Sequence, residues 1–243
     1  MQSAKPDYGI DAPGVIRNLS LIAVALFFIA RFLPILSIGP VTLTLRPAAI
    51  WIGVFCALEA VAMLLYSRFG KFHHRDRMLA LVNWKGDERV LDVGTGRGLL
   101  LIGAAMRLTT GKAIGIDIWS KQDLSANSPQ STLRNIEAEA VSSRVEIRSE
   151  DATAMSFPNA SFDVVLSNLC IHNIPTREGR DRACREIVRV LKPEGKAIIS
   201  DFRCTAGYVK SFQLAGAKAW RGRPDFLHTF PPLRIVEVVK PVS

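Results

Sequence analysis

Cysteine is scarce in this 243-residue chain: Cys56, Cys170, Cys184 and Cys204 lie far apart with no C-x-x-C pair, and the four histidines do not gather around them. That spacing excludes a structural zinc site and a disulfide framework, implies a reducing compartment, and leaves no metal ligand set to expect. There is no low-complexity stretch and no internal repeat, so the organisation is read from hydropathy. Acidic residues are outnumbered, 22 against 31 basic, for a net charge of +9. Such a balance suits an anionic partner, either nucleic acid or the anionic face of a membrane. The length allows one ordinary α/β domain plus an appendage, and is too short for two domains with separate cores. With 49% hydrophobic and 22% charged residues the chain is not disordered.

The apolar residues are concentrated near the amino end. Leu19 to Ile38 carries one charge, Arg31, and one proline, Pro34. A helix of about twenty residues is roughly 30 Å long, enough to cross a bilayer core. Ala48 to Tyr66 also carries a single charge, Glu59, and follows a short connector holding Gly39, Pro40 and Pro47. The two stretches predict a transmembrane helical hairpin. A secretory signal would need a basic stretch ahead of the first span, where Asp7, Asp11 and Pro13 stand instead. A pair of apolar helices inside a soluble fold is the other reading, because Arg31 and Glu59 each weaken insertion by about 2.5 to 3.5 kcal/mol if central. Contact between those two opposite charges is expected to offset that cost. Lys5 and Arg17 flank the first span, Arg46 alone lies between the spans, and Arg68, Lys71, Arg75 and Arg77 follow the second. This distribution puts both termini and the remaining domain in the cytoplasm. The expected organisation is a tail and hairpin over 1–66 and one domain over 67–243.

From Glu88 the pattern changes. Short apolar strands over 88–93, 112–117, 144–148, 162–167 and 196–201 alternate with helical stretches, and a last edge strand is predicted over 233–239. Ser128 and Pro129 read as an N-cap followed by a first-turn proline, Thr176 to Leu191 as a basic helix, Pro193 to Gly195 as a turn, and Tyr208 to Ala217 as a short helix. Repeated strand–helix–strand units predict an α/β, Rossmann-like, mostly parallel sheet with helices on both faces, preceded by the two membrane helices. The first strand runs into a glycine-rich turn, Asp92-Val93-Gly94-Thr95-Gly96-Arg97-Gly98. Glycines let the backbone approach a ligand and aim the N–H groups of the following helix at it. The second strand closes on Asp117, where a carboxylate accepts hydrogen bonds from ribose hydroxyls in nucleotide sites.

The order and spacing of VLDVGTGRG, GID, EDA, FDVVLSN and LKPEGKAIISDF resemble the class I S-adenosylmethionine-dependent methyltransferases over about Asp76 to Pro241. That resemblance implies S-adenosylmethionine as cofactor. It places the loop of Gly94, Thr95, Gly96 and Gly98 around the methionine part, and Asp92 near its amino group. Asp117 would take the ribose hydroxyls, Ile118 and Trp119 would lie against the adenine, and Asp151 with the Ala152 N–H would read its amino edge. Asn168 would stand where the methyl group meets the acceptor. His172 is the one titratable residue of suitable pKa expected near that point, as a base or as a histidine capping the loop before Pro175.

Ser167-Asn168-Leu169-Cys170 lacks the prolines found after the fourth strand in amino-group methyltransferases acting on nucleic acid. Cys170 does not follow a proline, as the nucleophile of a cytosine-C5 enzyme would, and reads as a small buried residue. Four scattered cysteines are a poor match to arsenic ligands. The basic helix residues Arg177, Arg180, Arg182, Arg185, Arg189 and Lys192 are interleaved with Glu178, Asp181 and Glu186, so a nucleic-acid partner is not expected. The implied function is membrane-anchored methyl transfer to a small, lipophilic or lipid acceptor. The alternatives are an anchored cofactor-binding protein without turnover and a methyltransferase of a soluble small molecule. The sequence leaves the acceptor and the oligomeric state open.

Overall fold

The computed structural model describes residues 5–38, 41–120 and 124–242. Gly39 and Pro40 of the expected connector, and residues 121–123 between the strand ending at Asp117 and the helix expected to open at Ser128, lie outside them.

Seven strands form one mixed, mostly parallel sheet in the order β5-β4-β3-β6-β7-β9-β8. They are β3 (Arg89–Val93), β4 (Lys112–Asp117), β5 (Val145–Ser149), β6 (Phe162–Asn168), β7 (Leu191–Asp201), β8 (Lys218–Arg221) and β9 (Arg234–Val239). All pairings are parallel except the two that β9 makes with its neighbours. On one face α6 (Arg177–Val190) and α7 (Thr205–Leu214) pack Cys184, Ile187, Tyr208 and Phe212 against Leu91, Val165, Ile199 and Val236. On the other, α3 (Lys71–Ala80), α4 (Leu99–Ala105) and α5 (Pro129–Ala138) bring Leu79, Leu101, Ile102 and Ile136 onto Val90, Ala113 and Val164. Burying each large side chain of this kind contributes about 1.5–3 kcal/mol, so α4, apolar over nearly its whole length, is fixed against the sheet. The expected two-faced α/β architecture is thus present.

Two local expectations need correction, and one short strand joins those the sequence displays. The turn at Pro193 to Gly195 does not interrupt the chain between helix and strand; it is absorbed in β7 as a bulge. There the pairing steps from Phe162–Leu191 to Val164–Lys196, and Glu194 takes φ +62°. The strand β8, Lys-Ala-Trp-Arg, has too few residues to show an alternating pattern and is held by pairing with β9. The helix expected over 208–217 starts and ends three residues earlier.

The amino-terminal region holds two 20-residue helices, α1 (Pro13–Phe32) and α2 (Arg46–Leu65), joined by a two-stranded hairpin of β1 (Ile35–Ile38) and β2 (Val41–Thr44). Each starts with a proline in its first turn, where no donor is lost. Both are long and apolar enough to cross a membrane by length and composition. They pack on each other with small residues inward, Ala23 and Ala30 against Ala49, Gly53 and Cys56, and turn Phe28, Phe32, Trp51, Phe55 and Leu58 outward at more than 60% exposure. Contact between Arg31 and Glu59 does not form. Gly53 meets the Phe27 ring, where a Cβ would come within 2.9 Å. In that antiparallel register Arg31 and Glu59 lie on opposite sides of the contact, offset by roughly 15 Å of helix rise.

The helical run does not stop at residue 66. A π-turn (Tyr66–Gly70) carries α2 directly into α3. The segment before α1 also joins the domain: Lys71 Nζ donates to the carbonyls of Tyr8 and Gly9, Asp11 bridges to Leu124, and Ile10 N–H donates to Ser125 Oγ at 2.8 Å.

Candidate active site

The site is built on the carboxyl ends of β3, β4, β6 and β7. After Val93 the chain turns through Gly94, Gly96 and Gly98 at φ +73°, +53° and +86°. Gly94 cannot be another residue without rearrangement, since a Cβ there would overlap the Cys170 side chain. Gly94 and Thr95 N–H groups donate to Ile116 O at 2.9 and 3.0 Å, which ties the loop to β4. Asp92 holds it from beneath: its Oδ2 accepts from Thr95 Oγ1 at 2.8 Å and from Leu101 N–H at 3.0 Å, inside α4. The carboxyl is 1% exposed, and burial pushes it up to about 7, with Thr95 and Leu101 opposing the shift.

Asp117, at the end of β4, accepts from Gly96 N–H at 2.8 Å through Oδ2 and from Trp119 N–H at 2.6 Å through Oδ1. Ile118 beside it is 71% exposed, a bare apolar side chain. Trp119 sits at φ +60° and donates its indole N–H to Ser149 Oγ at 2.7 Å. Asp151 is exposed, its Oδ1 accepting from Thr153 N–H at 2.7 Å, and Ala152 is half-buried next to it. Asn168 ends β6 with Oδ1 buried and without a hydrogen bond, and its side chain faces the buried Tyr66 hydroxyl. Cys170 buries its sulfur against Gly94, and burial pushes the thiol well above its ordinary value. It fills space, as the sequence suggested, and is not activated as a nucleophile.

His172 lies on a single 3-10 turn after β6, and its Nδ1 is 2.8 Å from Asp201 Oδ1 at the end of β7. The His172 backbone N–H also donates to Asp201 Oδ2, at 3.2 Å. Asp201 is fully buried and further held by the Tyr208 hydroxyl at 3.1 Å and Phe202 N–H at 2.9 Å. The Phe202 ring packs edge-on to the imidazole, centroids 4.7 Å apart. Nδ1 lies beside the carboxylate without hydrogen-bond geometry, which leaves Nε2 as the nitrogen available to an acceptor. Asp201 was in view as the end of a strand motif, but its partnership with His172 had no sequence signal, because the two meet only when β6 and β7 pair.

The amino-terminal strap is a second feature absent from the sequence reading. Arg97 of the glycine loop donates to Asp7 Oδ2 at 2.8 Å, and Asn135 Nδ2 donates to both Asp7 O and Arg97 O. Asp7 is held below its ordinary value, first by the Gly9 N–H and also by Arg97. A cavity of about 400 Å³ lies beneath the strap, lined by Tyr8, Lys71, Phe72, Arg97 and Ser125. Neither Asp117 nor His172 lines it.

A glycine cradle closed to side chains, a strand-end carboxylate beside it and an orphaned buried amide oxygen at Asn168 fit a sulfonium nucleoside. Among the described residues there is no cluster of His, Cys, Asp or Glu fit to hold a metal. The basic helix is mostly engaged internally: Arg189 with Glu186, Arg177 with Asp181, and Lys192 with Asp163.

The fold and the arrangement of the glycine loop and the strand-end carboxylate resemble those of class I S-adenosylmethionine-dependent methyltransferase domains. Residues 91–199 match the methyltransferase domain family. The chain is 33% identical over 130 residues to the 27-O-demethylrifamycin SV methyltransferase of Amycolatopsis mediterranei, covering 52% of this chain and 43% of that one. It is 29% identical to the demethylmenaquinone methyltransferase of Thermus thermophilus, covering 53% of each. It is 31% identical to the chloroplastic 2-phytyl-1,4-beta-naphthoquinone methyltransferase of Arabidopsis thaliana, covering 57% and 52%. The chain thus spans about half the length of these curated relatives. Among solved structures, the YcgJ protein of Bacillus subtilis superposes with a TM-score of 0.59 at 14% identity, over 70% of this chain and 99% of that one. The [4+2]-cyclase SpnF superposes at 0.60 and 16% identity, over 99% and 100%. These likenesses concern the fold.

Proposed function

We propose that the protein transfers a methyl group from S-adenosylmethionine to a small lipophilic acceptor at the cytoplasmic face of a membrane, into which α1 and α2 insert as a hairpin. The observation that carries this reading is the direction of the helical run from α2 into α3. Near its start α3 sets His74 Nε2 2.6 Å from Ser200 Oγ, at the carboxyl end of β7. Just past its end Leu81 O accepts from Lys196 Nζ, nearer the start of that strand. The helix α3 therefore runs antiparallel to β7, and α2 rises from the carboxyl edge of the sheet, the edge that carries the glycine loop, Asp117 and His172. A bilayer around the hairpin lies over the mouth of the site. The outward Phe28, Phe32, Trp51 and Phe55 support insertion, since a hydrophobic surface of that extent is costly in water. Relatives that act on menaquinone and naphthoquinone precursors support a lipophilic, quinone-like acceptor.

When bound, the cofactor supplies an already activated methyl group, so the protein's work is positioning and desolvation. The glycine loop and Asp117 hold it at the ends of β3 and β4. Asn168 offers its free Oδ1 at the end of β6. For an acceptor that sheds a proton, His172 Nε2 receives it and the buried Asp201 carboxylate stabilises the imidazolium. Tyr208 and Phe202 keep Asp201 and the ring in place. To test the reading, membranes containing the protein are given methyl-labelled cofactor, with Asp117→Ala as control. Asp117-dependent label in extractable lipid is the expected result; label confined to the aqueous or protein fraction refutes a lipophilic acceptor.

A further inference from the structure

We propose that the turn over 225–228, together with Phe69, is a second, interfacial membrane contact that seats the domain on anionic lipid around the base of the hairpin. The proposal rests on the hairpin reading above and goes beyond it, because these residues lie outside both helices. Phe226 is 74% exposed, Leu227 89% and Phe69 71%, the barest large apolar side chains of the domain surface near α3. They are held together by geometry. The carbonyl of His228 sits against Gly70, where a Cβ would approach it to 2.9 Å, the His73 and His228 rings stack at 4.8 Å, and Arg77 pairs with Asp225.

The turn is also built to keep its shape. Asp225 Oδ1 accepts from the N–H groups of Leu227 and His228, both at 3.0 Å, Thr229 Oγ1 donates to Asp225 O, and Leu233 N–H donates to Thr229 Oγ1 at 2.8 Å. A turn with its backbone satisfied in this way presents Phe226 and Leu227 outward as a fixed feature. Position and charge name the partner. Phe69 lies four residues beyond Leu65, the last residue of α2, a rise of about 6 Å that matches the headgroup layer outside the hydrocarbon core. Arg68, Arg221 and Arg223 are exposed and make no ion pair among the described residues, which suits anionic headgroups. Aromatic and aliphatic tips with arginines around them fit the interface of a bilayer.

The test uses the full chain in vesicles of phosphatidylcholine with phosphatidylglycerol, in a Cys204→Ser background that removes the exposed thiol. Leu227→Cys carries an environment-sensitive nitrobenzoxadiazole dye, and Ser143→Cys, exposed before β5 at the opposite edge of the sheet, serves as control. The expected result is a blue shift and quenching by nitroxide lipid at 227 and neither at 143. Exchanging Arg68, Arg221 and Arg223 for Gln is expected to remove the dependence of that quenching on phosphatidylglycerol. Protein that floats with the vesicles but gives water-like, unquenched emission at 227 overturns the docking surface and leaves the hairpin standing. Protein that does not float overturns the hairpin reading and this contact with it.

Discussion

His172 and Asp201, 29 residues apart in the chain, place Nδ1 and Oδ1 2.8 Å from each other at the carboxyl edge of the sheet. A buried carboxylate beside one imidazole nitrogen orients the ring and leaves Nε2 to face an acceptor. For an acceptor that must lose a proton, His172→Ala and Asp201→Asn are expected to lower kcat by about 10²- to 10⁴-fold. Cofactor affinity should change little. Tyr208→Phe, which removes one bond to Asp201, is expected to show a smaller loss; single-turnover rates with cofactor saturating separate these effects.

Asp117 accepts two backbone N–H groups at the end of β4, beside the glycine loop. Asp117→Ala is expected to weaken S-adenosylmethionine binding by about 10- to 100-fold, the equivalent of losing hydrogen bonds to a charged group. Calorimetric titration of the detergent-solubilised chain checks this, and unchanged affinity would remove Asp117 from the site.

Gly94 combines a left-handed backbone with a contact that has no room for a side chain. Gly94→Ala is expected to cost about 1–2 kcal/mol from φ alone, with further loss from overlap with Cys170. Adding Cys170→Gly should recover the overlap part and leave the backbone part, so the two changes combine less than additively. Denaturation midpoints of the two single variants and the double variant measure that coupling.

Asp92 supplies a pH dependence. Its folded pKa, about 7, lies above the ordinary 3.8, so the folded state binds the proton more tightly than the unfolded one. Stability from this group is fully present below pH 3.8 and is lost progressively as pH rises through about 7. Asp92→Asn keeps an acceptor for Thr95 and Leu101 while removing the titration. Its thermal midpoint is expected to be flatter than that of the parent between those two values, and an identical profile would sink the assignment.

The ordered strands and the glycine loop were legible in the sequence because each is local. An apolar run ending in Asp92 or Asp117, or glycines at fixed spacing, needs no partner to be recognised. The positions of Asp117, Asn168 and His172 on one edge follow from the strand–helix alternation, since parallel strands all end on the same side. The strand β8 was not legible, because four residues cannot display a period and only β9 makes them a strand. Nor was the turn at Pro193 to Gly195 readable as a bulge, since that depends on the register with β6.

The sequence by itself determined the α/β class, the glycine-rich turn after the first strand and the presence of two apolar helices long enough to cross a membrane, since periodicity, spacing and hydropathy are properties of consecutive residues. Only the tertiary structure decided which distant groups meet. It set Asp201 behind His172, laid the Asp7 strap on Arg97, and kept Arg31 away from Glu59 by the register at Gly53 and Phe27. It also ran α2 into α3 without a break. Hydrogen bonds and packing act over a few ångströms, and the sequence does not state which residues the fold brings that close.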